Sequence, residues 1–124
     1  MNCPKCGGAM QVTSFSGIDI DRCTRCRGLW FDLLELEDLQ QIDGSESIDQ
    51  GDGAVGQRQD EQRKVICPQD GVPMIRMVDT RQPHIWFESC QVCHGTFLDP
   101  GEFRDMKEHT LAEFLKPRRR PRRL

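Results

Sequence analysis

The chain has no tyrosine, and only two tryptophans and six phenylalanines among its 124 residues, so a large aromatic core is excluded. No stretch reaches membrane-spanning length, and the opening residues MNCPKCGG show no basic segment followed by an apolar run. The expectation is therefore a cytoplasmic protein without a membrane partner. The sequence contains no phosphate loop, activated nucleophile or open catalytic zinc signature, so no small-molecule substrate is expected. An even set of cysteines is missing as well. There are seven, which argues against pairwise disulfides, and in a reducing compartment closely paired cysteines read as metal ligands.

What is present is a pair of Cys-x-x-Cys turns, Cys3/Cys6 and Cys23/Cys26, with sixteen residues between them. Each turn points two sulfurs at one centre, and the intervening segment suffices for a hairpin that brings the second turn back to the first. That is the spacing of a four-thiolate structural zinc site, in which no position remains for water or substrate. The layout recurs about sixty-five residues later as CPQD (Cys67 to Asp70), Met74 and CQVC (Cys90 to Cys93). The expected second ligand set is Cys67, Asp70, Cys90 and Cys93. Its carboxylate oxygen is a harder donor than thiolate, so a second zinc should be held more weakly. Alternatives are a metal-free second half with three thiols, or His94 or His84 in place of Asp70. Cys90-Gln-Val-Cys93-His94 also matches the covalent haem pattern, but register places His94 opposite Arg27, which has no ligand role in the first half.

Alignment of Cys23 with Cys90 lays CTRCRGLWFDLLELEDL over CQVCHGTFLDPGEFRDM without gaps. The fold class that follows is small α+β and metal-stabilised: two tandem zinc ribbons, each a β-hairpin or three-stranded sheet with one helix. Boundaries fall at 1–42 for the first unit, 43–64 for a linker, 65–116 for the second unit with a longer helix, and 117–124 for a basic tail. The linker is rich in Gly, Asp, Glu and Gln, which predicts a flexible connection with the units behaving as nearly independent beads. Val12–Phe15 and Ile18–Asp21 should flank a turn at Ser16-Gly17. Gly28 and Gly95 are expected to supply permissive backbone beyond the knuckles, followed by Trp30 and Phe97 as core residues. Asp32 with Glu35 and Asp99 with Glu102 read as capping boxes, with Pro100 at the first position of its helix and the first helix running to Ile42. These carboxylate pairs therefore need no catalytic role.

Two departures from repetition point to surfaces. Trp86 takes the outward register of Asp19, either for recognition or to pack on the other unit. Leu33 and Leu34 replace Pro100 and Gly101 with more apolar surface than a helix start needs, for a partner or for burial under the linker or in a homodimer. The tail places Lys116, Arg118, Arg119, Arg120, Arg122 and Arg123 in the last nine residues, and removing these six charges from a net −3 leaves a body of −9. A basic face on the body is not expected, whereas the tail suits phosphate contact.

Cys3, Pro4, Cys6, Met10, Ile20, Asp21, Cys23, Cys26, Gly28, Trp30, Asp32 and Glu35 together resemble the transcription factor IIB-type zinc ribbon family. The second half resembles it at Cys67, Pro68, Met74, Cys90, Cys93, Gly95, Phe97, Asp99 and Glu102, with Asp70 departing from the pattern. The resemblance implies a zinc-binding module linked to transcription or nucleic acid. Two Zn2+ ions are expected, and the leading function is a non-enzymatic module recruiting nucleic acid or transcription machinery. The tail and Trp86 would form the contacts. The alternatives are a protein-interaction adaptor using the acidic surfaces and Leu33-Leu34, and a thiol or metal sensor using the weaker second site.

Overall fold

A computed structural model describes residues 1–62, 64–79 and 82–115. In the first half, β1 (Met10–Phe15) and β2 (Ile18–Cys23) form a hairpin, followed by β3 (Leu29–Phe31) and helix α1 (Glu35–Gln40). In the second half, β4 (Ile75–Asp79), β5 (Gln82–Ser89), β6 (Thr96–Leu98) and helix α3 (Glu102–Leu115) repeat the order. Ser16 and Gly17 close the first hairpin with φ of 54° and 82°, the doubly left-handed geometry that matches strand twist. Helix α3 is longer than α1, fourteen residues against six.

The two halves do not form separate sheets. All strands join one six-stranded sheet in the order β1-β2-β3-β6-β5-β4, closed at the centre by antiparallel pairing of β3 with β6. The central register sets Trp30 opposite Phe97, residues that are equivalent in the repeat. Gly28 and Gly95 explain how two large rings fit there. A Cβ on Gly28 would lie 2.3 Å from Phe97 Cζ, and one on Gly95 would lie 2.0 Å from Trp30 Cζ2. Each glycine thus makes room for the other half's aromatic ring. This corrects the expectation of permissive backbone, because the left-handed residues beyond the knuckles are Arg27 (φ 72°) and His94 (φ 62°).

Alternation along the strands sorts side chains to two faces. Ile20, Leu29, Phe31, Ile85 and Leu98 meet Leu39 of α1, Ile48, and Phe103 and Met106 of α3 on one face. Phe31 and Phe103 stack with ring centroids 5.5 Å apart across the halves. Trp30 and Phe97 face the cysteines, Val65 and Met74 on the other. The Lys107 ammonium of α3 donates to the carbonyls of Gln40 and Ile42 at 3.3 and 2.7 Å, satisfying the open C-terminal end of α1.

Composition predicts a flexible linker over 43–64; the structure instead holds a 3-10 turn at Ser45–Ile48 and helix α2 (Gly53–Gln59) there. A few anchors outweigh the polar average. Ile48 enters the helix-side core, and Val55 packs against the cysteine-side core. Asp49 is buried and accepts from the backbone N–H groups of Gly101 at 3.0 Å and Arg104 at 2.9 Å, capping α3 from outside its own sequence. At Gly56 a Cβ would lie 2.1 Å from the Pro100 carbonyl oxygen, so this glycine serves close packing rather than flexibility.

The expected capping boxes are half formed. Glu35 and Glu102 each accept from the backbone N–H of Asp32 and Asp99 at 2.8 Å, but the aspartate side chains turn elsewhere. Asp32 takes the Trp30 indole N–H at 3.2 Å and Asp99 takes the Lys5 ammonium at 3.2 Å. Both segments are turns before the helices, with the third residue left-handed: Leu34 at φ 73° and Gly101 at φ 90°. Pro100-Gly101 is the pair such a turn favours, so Pro100 precedes the helix instead of opening it. Among the described residues, no helix is long and apolar enough to cross a membrane.

Candidate metal centres

The first donor set comprises Cys3, Cys6, Cys23 and Cys26, all with ligand atoms within 4.8 Å of one another. Cys3 and Cys6 sit in the turn before β1, while Cys23 ends β2 and Cys26 lies in the turn leading to β3, so the hairpin closes the site as its spacing requires. The Sγ atoms of Cys3 and Cys26 are 3.8 Å apart, and those of Cys6 and Cys23 are 3.4 Å apart. A tetrahedron with zinc–sulfur bonds of about 2.3 Å has edges of about 3.8 Å. Peptide N–H groups surround the sulfurs: Cys3 accepts from Lys5 and Cys6, Cys23 from Arg25 and Cys26, Cys6 from Gly8, and Cys26 from Gly28. These donors stabilise thiolate charge and fix its orientation.

Without a cation, four sulfurs this close cannot share their charge evenly. The hydrogen bond between Cys3 and Cys26, together with burial, pushes the Cys3 thiol far up, while the same bond brings Cys26 down to about 5. A dication removes this conflict. The donors fit zinc, with Cys3, Cys6, Cys23 and Cys26 filling all four tetrahedral positions.

The second set is Cys67, Asp70, Cys90 and Cys93, again within 4.8 Å. Cys67 Sγ lies 3.8 Å from Cys93 Sγ and 3.7 Å from Asp70 Oδ2, and Cys90 Sγ lies 3.4 Å from the same oxygen. Three sulfurs and one carboxylate oxygen also fit a tetrahedral zinc ion. Asp70 therefore takes the geometric place of Cys6. It is exposed, whereas Cys67 and Cys90 are buried, leaving one edge of this centre open to water and chelators. His94 is exposed on its left-handed corner and is not in the set. The His84 side chain lies outside the described residues.

Weaker, wetter ligation at the second centre should be measurable. With excess chelator and a zinc-sensitive dye, release is expected in two phases, the faster from the second centre. Asp70→Cys should slow that phase at least tenfold by replacing oxygen with sulfur. One zinc per chain, or a fast phase indifferent to Asp70→Cys, would remove the second assignment.

The remaining sequence candidates are dispersed. Leu33 and Leu34 are each 58% exposed at the turn before α1. Trp86 points outward on β5, but the Arg76 guanidinium lies 4.9 Å from its ring centroid, covering part of the ring. Lys116, Arg118, Arg119, Arg120, Arg122 and Arg123 lie outside the described residues.

Residue types alone did not reveal Lys5. It projects from the first knuckle with its side chain wholly buried, and bridges Glu88 of β5 at 3.1 Å and Asp99 beyond β6 at 3.2 Å. Its place between two cysteines carries no local signal for partners over eighty residues away.

Residues 2–42 match the family described as transcription factor zinc-finger, of the transcription factor IIB ribbon type. The matched segment spans the first hairpin, β3 and α1, and the first metal centre lies wholly within it. No curated protein and no solved structure matches the chain. The two donor sets and the ribbon match define a zinc-binding module with two centres.

Proposed function

We propose that this zinc-binding module is non-enzymatic and recruits nucleic acid, or machinery assembled on it, through its basic C-terminal tail. In this reading the chain is two ribbons, residues 1–42 and 65–116, fused through the central strands and followed by the segment 117–124. The repeated order of hairpin, short strand and helix, each with its own donor set, supports the duplication. Metal centres with four protein donors each hold the fold and leave contact to other surfaces. The strongest support for a polyanionic partner is charge: six basic side chains lie in the last nine residues, against a net charge of −3 for the whole chain. A tail following α3 can reach phosphate while an acidic body is repelled, since screening acts over about 8 Å at physiological salt.

Fluorescence anisotropy on labelled duplex DNA tests this. If all six side chains contact phosphate, the log-log salt slope should be no steeper than about −5, with little sequence preference. Deleting Lys116 to Leu124 should abolish binding without altering zinc content. Undiminished binding after deletion would transfer recognition to the ribbons, and no binding by the full chain at low salt would overturn the proposal.

Leu33 and Leu34 favour a second reading. Two adjacent leucines, each more than half exposed beside a left-handed corner, suit an apolar protein partner. Leu33→Ser with Leu34→Gly should abolish capture of such a partner while leaving DNA binding intact.

A further inference from the structure

Besides the two sulfur-rich centres, a third donor group converges among the described residues. Asp60, Asp99 and Glu102 each offer a carboxylate oxygen, and these oxygens lie within 4.8 Å of one another. Asp60 follows α2, Asp99 follows β6, and Glu102 opens α3. The group therefore ties the segment between the halves to the second half.

Two further observations separate this cluster from ordinary surface acidity. The Asp99 side chain has no solvent exposure, and although its Oδ2 meets Lys5, its Oδ1 has no hydrogen-bond partner. Neighbouring Glu88, with a side chain 3% exposed, likewise leaves Oε1 without one. Buried carboxylate oxygens without donors are costly, and a cation satisfies them directly. Glu102 uses Oε1 to accept from the Asp99 backbone and retains a second oxygen.

Carboxylates crowd this corner: Lys5 meets Glu88 and Asp99 at 3.1 and 3.2 Å, and Arg76 meets Asp60 and Glu88 at 3.0 and 3.6 Å. Burial and the neighbouring carboxylates push Asp99 up to about 7 and Glu102 up to about 9. Added positive charge, from protons or from a cation, therefore favours this arrangement of carboxylates. A route exists: Asp60 and Glu102 line a cleft of about 410 Å³ between α2 and the start of α3, with Gly53, Gly56 and Gly101 on its walls.

We propose that Asp60, Asp99 and Glu102 form a third metal site, built only from oxygen, that takes a hard divalent cation of the Mg2+, Mn2+ or Ca2+ class. Zinc prefers the sulfur donors elsewhere in the chain, so the ions partition by donor type. Bound there, the cation clamps α2 against the second half, and water completes its coordination from the cleft.

Mn2+ alone is the probe, titrated into the zinc-loaded full chain and followed by loss of the free-ion electron paramagnetic resonance signal. One Mn2+ per chain is expected, competed by Mg2+ or Ca2+. Asp60→Asn and Glu102→Gln should each weaken binding at least tenfold with zinc content unchanged, and Glu102→Gln keeps the oxygen that accepts from Asp99. No uptake by about 1 mM, the weak end of protein calcium sites, overturns the proposal. So does uptake that survives both carboxamide variants, and protons then complete the cluster instead.

Discussion

Gly95→Ala should destabilise the zinc-loaded protein by about 3 kcal/mol, a large loss for the addition of one methyl group. The new Cβ would lie 2.0 Å from Trp30 Cζ2 and within 2.8 Å of two other atoms of the same ring. Trp30 is wholly buried, paired with Phe97 across β3 and β6, so the ring has no vacant space to enter. Relief requires β3 and β6 to separate, and with them the halves. Gly28→Ala poses the same problem against Phe97, with 2.3 Å to Cζ. Chemical unfolding at fixed zinc concentration checks the effect. Trp30→Phe removes the clashing part of the indole, so the double variant should lose less than the sum of the single losses. Unchanged unfolding midpoints in both glycine variants would mean that the halves do not depend on this seam.

The seam marks where sequence reading stopped. Metal-site spacing is a local signal: two cysteines three residues apart define a knuckle, and two knuckles with a hairpin between them define a centre. Cys3, Cys6, Cys23 and Cys26, and the substitution of Asp70 for a cysteine, were therefore legible without structure. The outward register of Trp86 followed from alternation, and the buried Trp30 and Phe97 from their place after the knuckles. Pairing of β3 with β6 had no comparable signal. Each strand has three residues, and their partner lies more than sixty residues away. Gly28 and Gly95 were noticed, but a glycine in sequence does not distinguish an unusual φ from a tight approach by a ring.

The segment between the halves shows a different failure. Its polarity correctly describes most of its side chains, yet docking depends on a few. Ile48 and Val55 provide the apolar anchors, and Asp49 provides the cap for α3. Average composition cannot identify a carboxylate destined for two backbone N–H groups over fifty residues away. Similarly, Asp99-Pro100-Gly101-Glu102 matches both a capping box and a left-handed turn. The turn prevails because Asp99 is drawn to Lys5 while Asp49 caps the helix. The equivalent Asp32 remains exposed and binds the Trp30 indole, so one motif serves two electrostatic environments.

The same burial gives Lys5→Met its expected effect, a loss of about 3–5 kcal/mol, because removing one partner leaves carboxylates without compensation in a desolvated setting. The ammonium contacts Glu88 at 3.1 Å, Asp99 at 3.2 Å and the Gln59 carbonyl at 2.9 Å, joining the first knuckle to β5, the turn before α3 and α2. Methionine retains much of the apolar stem but supplies no charge or hydrogen. Glu88 keeps Arg76 at 3.6 Å, whereas the ammonium is the ion-pair partner of Asp99, so Asp99 should carry most of the penalty. Adding Asp99→Asn to Lys5→Met should recover part of the loss, giving a coupling energy in a double-mutant cycle, while Asp99→Asn alone should be milder than Lys5→Met. Zinc content separates this from damage to the neighbouring knuckle: two ions should remain bound below the unfolding transition. Additive losses in the cycle, or a Lys5→Met variant as stable as the parent, would show that the buried bridge does not hold the halves together.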